Sequence, residues 1–320
     1  MPHRFQSLKI FTLYNTKRTP MISVAMATYN GERYIRQQLD SILNQSIRDF
    51  EVVVCDDCST DATWDILQEY QSKFPSIRCF KNEKNLGFKA NFEKAMNLCE
   101  GEFVALSDQD DIWEKDHLKI LAETIGDRDI ACGDAELIDG EGKHLGARLS
   151  EVDFLYHCPK DYRKIPLRIF YSNGCFQGAS MLIRKTLLDI ALPLPEGIDY
   201  HDTWLTVIAC YSKGFAFTPQ VITQHRRHDM NASRRTHWPT YLGFIHFKRN
   251  PVRPDRLCIA ESVKSRLQGK LSESQLQQLN HLSIYYKNRK SKFGKLKNLV
   301  FRFLNYGSIY TTHTRLYIEW

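Results

Sequence analysis

Glu102-Phe103-Val104-Ala105-Leu106 runs directly into Ser107-Asp108-Gln109-Asp110-Asp111-Ile112-Trp113. The first five residues are short, apolar and β-branched or aromatic, without helical spacing, so they read as a buried strand. That strand delivers three carboxylates within four residues. Carboxylates packed this closely repel and raise one another's pKa unless a cation lies among them. Oxygen ligands at a strand end suit a hard divalent ion, Mg2+ or Mn2+, which binds through one or two carboxylates and takes substrate phosphates for the rest. On these residues alone, a solvated acidic turn is the competing reading.

Working outward, the preceding hundred residues repeat one unit. Ile22 to Ala27 reads as a buried strand, runs into Thr28-Tyr29-Asn30-Gly31, and is followed by Tyr34, Ile35, Leu39, Ile42 and Leu43 at helical spacing. Phe50 to Cys55 is a second strand, ending in Asp56-Asp57-Cys58-Ser59-Thr60-Asp61, where Ser59 or Thr60 can cap the helix of Trp64, Ile66, Leu67 and Tyr70. Ile77 to Phe80 is a third. It leads through Asn82 to Gly87 into the helix of Ala90, Phe92, Ala95, Met96 and Leu98. Strands alternating with helices predict an α/β fold, a Rossmann-like, mostly parallel sheet with helices on both faces. In such sheets ligands bind beyond the carboxyl ends of the strands. Thr28-Tyr29-Asn30, Asp56-Asp57 and Asp108-Gln109-Asp110 all fall there, so three polar clusters distant in sequence converge on one rim.

Beyond Trp113, Leu118, Ile120, Leu121 and Ile125 predict a helix, and Ile130 to Ile138 a strand. Asp139-Gly140-Glu141-Gly142 superficially starts a glycine-rich phosphate loop, but Asp-Gly after a strand is a stronger hairpin signal and no helix follows. Cys175 to Ile183 reads as a strand interrupted by Gly178, a mark of close ligand approach. Tyr200-His201-Asp202-Thr203-Trp204 precedes a helical run, and Phe215 to Phe217 with Val221-Ile222 predicts a last strand pair leading to His225-Arg226-Arg227-His228.

The 320 residues carry 44 Lys and Arg against 37 Asp and Glu, a net charge of +7. Most of the basic excess follows residue 225, which suggests an anionic partner for the C-terminal part. The nine cysteines are scattered and odd in number, as expected of buried free thiols in a reducing compartment. Cys55-Asp56-Asp57-Cys58 has CxxC spacing, but no second pair completes a zinc site. No apolar run approaches the ~20 residues that cross a bilayer, and the first twenty residues lack a signal cleavage site. A cytoplasmic protein is expected. Between 289 and 304, Phe293, Leu296, Val300 and Phe303 step by three or four amid Lys and Arg, the pattern of an interfacial amphipathic helix on an anionic membrane. A helix packed on the domain with a solvated basic face fits as well.

Residues 21 to about 233 resemble the family 2 glycosyltransferases of the GT-A fold, particularly the bacterial rhamnosyltransferase-like branch. The resemblance is carried by Thr28-Tyr29-Asn30-Gly31, Asp56-Asp57-Cys58-Ser59-Thr60-Asp61, Asn85-Leu86-Gly87, Ser107 to Trp113, His201-Asp202-Thr203-Trp204, and Arg227-His228 to Asn231. It implies a catalytic domain over 21–235 with nucleotide-binding (21–115) and acceptor (116–235) halves; outside the resemblance, the sequence pattern gives an N-terminal extension over 1–20 and a basic helical extension over 236–320. By the resemblance, Thr28, Tyr29, Asn30, Asp56, Asp57, Gly87, Asp108 and Gln109 bind the nucleotide sugar, with Asp56 on the pyrimidine. Asp110, Asp108 and His228 hold Mn2+ or Mg2+, and Asp111 is structural. Gln177, Gly178, Trp204 and Arg227 border the sugars, and Asp202 is the general base. Helix capping is the plain alternative for Asp202, and a structural loop histidine for His228. Two departures stand out: Cys58 where the family usually carries Gly, and His225 where Tyr is frequent.

The implied reaction is inverting, metal-dependent transfer from a dTDP- or UDP-sugar to a hydroxyl of a cell-surface polysaccharide or lipid-linked acceptor, with no nucleic-acid partner. A catalytically silent binding protein on the same fold is the alternative, although binding alone has no need of a base. The first loop has neither the Gly-rich, Arg-containing run of a nucleotidyltransferase nor the GxGxxG of a nicotinamide-dependent oxidoreductase.

Overall fold

The computed structural model describes residues 22–152, 162–172, 176–229 and 255–288. β1 (Ile22–Thr28), β2 (Phe50–Asp56), β3 (Ile77–Lys81) and β4 (Phe103–Ser107) are linked by α1 (Ile35–Leu43), α2 (Thr63–Lys73) and α3 (Phe88–Leu98). They pair in parallel in the order β3-β2-β1-β4, with Thr28 opposite Asp56 and Met26 opposite Ser107. Their carboxyl ends are therefore level. The continuous apolar runs follow from burial on both faces. Val24, Met26, Val52, Val54, Phe103 and Ala105 pack against α1 and α2, while Ala25, Val53, Cys55, Val104 and Leu106 face Phe92, Ala95 and Met96 of α3.

The second half extends this sheet with mixed polarity. Its elements are β5 (Ile112–Trp113), α4 (His117–Ile125), β6 (Ile130–Ile138), β7 (His144–Arg148), α5 (Leu149–Val152), α6 (Ile165–Ser172), β8 (Met181–Arg184), α7 (Lys185–Ala191), α8 (His201–Tyr211) and β9 (Phe215–Arg226). β8 inserts antiparallel between β4 and β6, β9 runs parallel to β6, and β5 closes the edge antiparallel to β9. The Asp139 to Gly142 stretch is the turn of a β6–β7 hairpin, with Gly142 N–H donating to Asp139 O at 3.1 Å.

Two expectations are corrected here. The strand pair around Pro219 is one strand, because β9 bulges there: Cys132 faces Phe217 and Asp134 faces Val221, so the intervening β9 residues absorb the proline without breaking the ladder. The glycine-interrupted strand is shorter than its apolar run, since Gly178–Ser180 form a 3-10 turn and the strand proper begins at Met181.

α9 (Asp255–Arg266) and α10 (Glu273–Asn288) dock on the sheet's helical layer. Ile259, Ala260, Val263, Leu279, Leu282 and Tyr285 join the core that holds Leu205 and Ile208 of α8. Arg266 Nη1 donates to Ile190 O and Leu192 O at 2.8 Å, fixing α9 to the end of α7. The expected basic helix over 289–304, the extension over 1–20 and Asn231 lie outside the described residues. Among the described residues no helix is long and apolar enough to cross a membrane.

Candidate active site

The level strand ends build a rim from backbone outward. Asp57 N–H donates to Thr28 O at 2.8 Å, so the loops after β1 and β2 are zipped together. Asp56 is fully buried and committed: Thr28 Oγ1 (3.0 Å) and Ser59 Oγ (2.5 Å) donate to its Oδ1, and Ser59 N–H (3.0 Å) to its Oδ2. These three bonds fix the Asp56 carboxylate at the end of β2, beneath the loop of Tyr29. Asp57 is also internal. Its Oδ1 accepts from Asn82 Nδ2 and Leu86 N–H, both at 2.7 Å, and its Oδ2 from Gly87 N–H at 2.8 Å, folding the loop that enters α3. Gly87 takes φ +80 there, which a side chain would resist.

Asn30 and Cys58 are the non-glycine residues with positive φ among the described residues, at +47 and +63. Asn30 Oδ1 accepts Thr60 N–H at 2.8 Å, and Cys58 Sγ donates to Asn82 O at 3.0 Å. Cys58 thus keeps a backbone that glycine adopts without cost. Tyr29 is the group left open, with its side chain 49% exposed. Its backbone is clamped by the Gln109 amide, which accepts from Tyr29 N–H at 2.9 Å and donates to Tyr29 O at 3.0 Å. The clamp needs Gly31, where a Cβ would fall 2.3 Å from Gln109 Oε1.

The acidic stretch separates into three roles by partner. Asp111 is buried, its Oδ1 accepting from Arg226 N–H and facing His225 Nδ1, both at 3.0 Å, and its Oδ2 accepting from Gln177 Nε2 at 2.9 Å. Both oxygens are spent on structure, with His225 Nδ1 and Gln177 Nε2 as their partners. Asp110 Oδ2 lies 2.8 Å from His228 Nε2. The half-buried Asp108 carboxyl makes no hydrogen bond among the described residues, and its pKa is raised well above the ordinary carboxylate range. Burial is the main cause, followed by the charges of Asp111, Asp110 and Asp202. That last contribution places the start of α8 in the same field as the end of β4.

Gly178 joins the two. A Cβ on it would meet His201 Nε2 at 3.2 Å, Asp202 Cβ at 3.6 Å and Leu106 Cδ1 at 3.6 Å, so the α8 start and the end of β4 pack closely around this residue. Asp202 is the second residue of α8, half-buried, with Oδ1 accepting its neighbour Thr203 N–H at 2.5 Å. It does not occupy the capping position, which is Tyr200. Burial holds His201 below the ordinary histidine range and keeps it neutral, against the raising effect of Asp202. The expected sugar contact of Trp204 is corrected: its side chain is 0% exposed and its indole N–H donates to Ala191 O at 3.0 Å, so it belongs to the core. Arg227 is half-buried next to the site, its N–H donating to Ile138 O at 2.8 Å.

Arg226 was not singled out by its sequence, yet it supports the acidic loop from beneath. Its Nε donates to Asp110 O at 2.8 Å and its Nη2 to Gln37 Oε1 at 2.6 Å, with the guanidinium 4.6 Å from the Tyr34 ring centre. Tyr34 in turn lies 4.9 Å from the His228 ring. His117 is a second such residue, fully buried, stacked on Trp113 at 3.8 Å and bonded through Nδ1 to Ile222 O. Neither position carries a spacing signal that marks it.

Among the described residues no three His, Cys, Asp or Glu side chains are grouped to hold a metal unaided. The donor set still fits a hard divalent ion. Asp110 and His228 already converge at 2.8 Å, and the like charge crowding Asp108 is what a cation relieves. An ion held by two side chains leaves positions for phosphate oxygens.

Comparison with known proteins agrees with this construction. A family model described as glycosyl transferase family 2 matches residues 23–190. Chondroitin synthase of Escherichia coli is 36% identical over 133 residues, 41% of this chain and 19% of that protein. The putative teichuronic acid biosynthesis glycosyltransferase TuaG of Bacillus subtilis is 38% identical over 116 residues, 36% of this chain and 46% of that one. The matched part thus spans less than half the length of either relative. S. aureus TarS 1-349 in complex with UDP-GlcNAc superposes with a TM-score of 0.57 at 22% identity, over 90% of this chain and 78% of that one. The mannosyltransferase PcManGT from Pyrobaculum calidifontis, in complex with GDP-Man and Mn2+, gives 0.53 at 16% identity, over 90% and 76%. These two likenesses concern the fold. The family match covers more than half of the 320 residues and contains the whole rim from Thr28 to Asp111, and on that ground this chain belongs to glycosyl transferase family 2.

Proposed function

We propose that the chain transfers a sugar from a nucleoside diphosphate sugar to a glycan hydroxyl with inversion at the anomeric carbon, residues 21–235 forming the catalytic unit. One observation carries this reading: a Cβ on Gly178 would lie 3.6 Å from both Asp202 Cβ and Leu106 Cδ1, so the start of α8 abuts the end of β4 that delivers Asp108. A carboxylate beside the acidic strand end can serve as the base that one-step displacement requires. Tyr29 borders the nucleotide through its exposed ring. Asp110 and His228, with Asp108 beside them, would hold Mn2+ or Mg2+; when bound, the ion neutralises charge developing on the departing diphosphate. Asp202 accepts the proton of the acceptor hydroxyl as its oxygen bonds to the anomeric carbon, and the diphosphate leaves from the opposite side with the electron pair of the broken bond.

For the donor, UDP-linked hexosamines are tested first, because chondroitin synthase and the TarS complex with UDP-GlcNAc are among the similar proteins. dTDP-rhamnose rests on motif resemblance and is assayed beside them. A polysaccharide acceptor is favoured by the teichuronic acid and chondroitin relatives. Membrane attachment through 289–304 rests on composition alone; truncation near residue 285 is expected to abolish sedimentation with anionic vesicles. The deciding experiment is a thermal-shift and hydrolysis screen of nucleotide sugars with and without Mn2+, run on the native chain and on Asp202→Asn. We expect donor binding in both and turnover only in the native chain. Equal turnover in both removes Asp202 from the mechanism.

A further inference from the structure

α3 carries an apolar stripe at Phe88, Phe92, Ala95 and Met96, one helical face at spacings of four, three and one. The last three are buried in the core, but Phe88 remains 40% exposed and Leu86 before it 38%. The stripe therefore runs past the core onto the rim. There the Phe88 ring lies 6.0 Å from that of Tyr200 and 6.3 Å from that of His201, the two residues preceding Asp202. The arrangement is held from below. Phe92 contacts the His201 ring at 4.4 Å, and Lys89 Nζ donates to Ile198 O, tying the first turn of α3 to the loop that enters α8.

Resting on the proposed transfer reaction, we propose that Phe88 and Tyr200, edged by Leu86, form the platform on which the acceptor sugar stacks beside Asp202. A pyranose ring presents a C–H face to an aromatic surface and keeps its hydroxyl edge free, so a ring seated on Phe88 turns a hydroxyl toward the carboxylate. The platform takes a neutral pyranose, because its three side chains offer apolar and aromatic area and no formal charge. Rigid aromatic anchors supply such area with little loss of side-chain freedom. Tyr29, the other exposed ring of the rim, lies at the end of β1 and is clamped by Gln109 from the acidic loop, so the two rings serve different substrates.

The test is saturation-transfer NMR on the full chain with UDP and Mn2+ present. The probes are methyl β-glucoside, β-galactoside, N-acetyl-β-glucosaminide, N-acetyl-β-galactosaminide, α-mannoside and α-rhamnoside. In the native chain, ring C–H protons of one face of the best probe are expected to receive most saturation. Phe88→Ala weakens that probe about three- to tenfold and Phe88→Trp restores it. Phe88→Leu keeps bulk against Phe92 but has no ring face, and is expected to lose affinity as Ala does. UDP-induced thermal shifts monitor the donor site in each variant. Probe affinity unchanged in Phe88→Ala, full affinity in Phe88→Leu, or no probe contact although UDP binds would each overturn the platform. Probe contact that depends on Phe88 without any UDP shift would instead sink the donor reading and leave the platform standing.

Discussion

Replacing Arg226 by Met probes the least visible support of the acidic loop, and its cost follows from the bonds removed. Arg226 is 1% exposed, and among the described residues its short side-chain hydrogen bonds go to Asp110 O at 2.8 Å and Gln37 Oε1 at 2.6 Å. Methionine fills similar volume but leaves the buried Asp110 O unpaired, at about 1–3 kcal/mol, whereas the exposed Gln37 amide regains water and its lost bond costs about 0.5–1 kcal/mol. The contacts at 3.3 and 3.4 Å to Asp139 O and Gly140 O are long and add little. Loss of the cation over the Tyr34 ring adds about 1 kcal/mol, and relief of guanidinium desolvation offsets part of the total. A net destabilisation of about 2 kcal/mol results. Because one lost bond is to the backbone of Asp110 itself, affinity for UDP with Mn2+ should also fall, with Arg226→Lys intermediate. Urea unfolding reads the first quantity and calorimetric titration the second. Stability within about 0.5 kcal/mol of the native chain refutes the energetic account. Full destabilisation with unaltered UDP affinity refutes the link to the site.

Gly31→Ala should push the Gln109 amide off Tyr29, breaking two bonds for about 1–3 kcal/mol and raising the donor KM; donor kinetics and urea unfolding check it. His117 gives a pH signature. Burial lowers its pKa to about 3 from the ordinary 6.5, so the unfolded chain binds the proton more readily. The stability this histidine leaves intact is fully present above pH ~6.5 and is lost toward pH ~3 at about 1.4 kcal/mol per pH unit. His117→Phe keeps a ring on Trp113 and should flatten that slope between pH 6.5 and 4.5; parallel profiles would count against it. Burial pushes the Cys55 thiol to about 11 and those of Cys79 and Cys99 to about 12, so a thiol reagent at pH 8 should spare all three until the chain is unfolded, as peptide mapping can show.

The first half of the fold was legible because each parallel strand is buried on both faces and so appears as an unbroken apolar run. Ile22 to Ala27 and Phe103 to Leu106 have no other reading. The second half was less legible because its pairings are antiparallel and distant. Nothing local in Met181 to Arg184 announces insertion between β4 and β6, and Pro219 reads as a break until the bulge opposite it is known. Site residues failed in the same way. Trp204 beside Asp202 looks like a sugar platform in sequence, whereas the helical phase turns it into the core and leaves the ring of Phe88, from another element, on the rim. Arg226 stands in His225-Arg226-Arg227-His228, where a buried guanidinium and a solvated one are indistinguishable.

The acidic stretch shows how structure assigns roles that composition leaves equivalent. Asp108, Asp110 and Asp111 have the same side chain and lie within four residues, so no propensity separates them. Their partners do. Asp111 has both oxygens committed and cannot bind a ligand without dismantling the contact between β5, β9 and the Gln177 turn. Asp110 shares one oxygen with His228, a bond that a cation can replace at little cost because both groups are metal-competent. Asp108 has no such bond among the described residues and bears the repulsion of all its neighbours, Asp202 included. The three carboxylates thus differ in what surrounds them, two bonded to named partners and one held in a field of like charge.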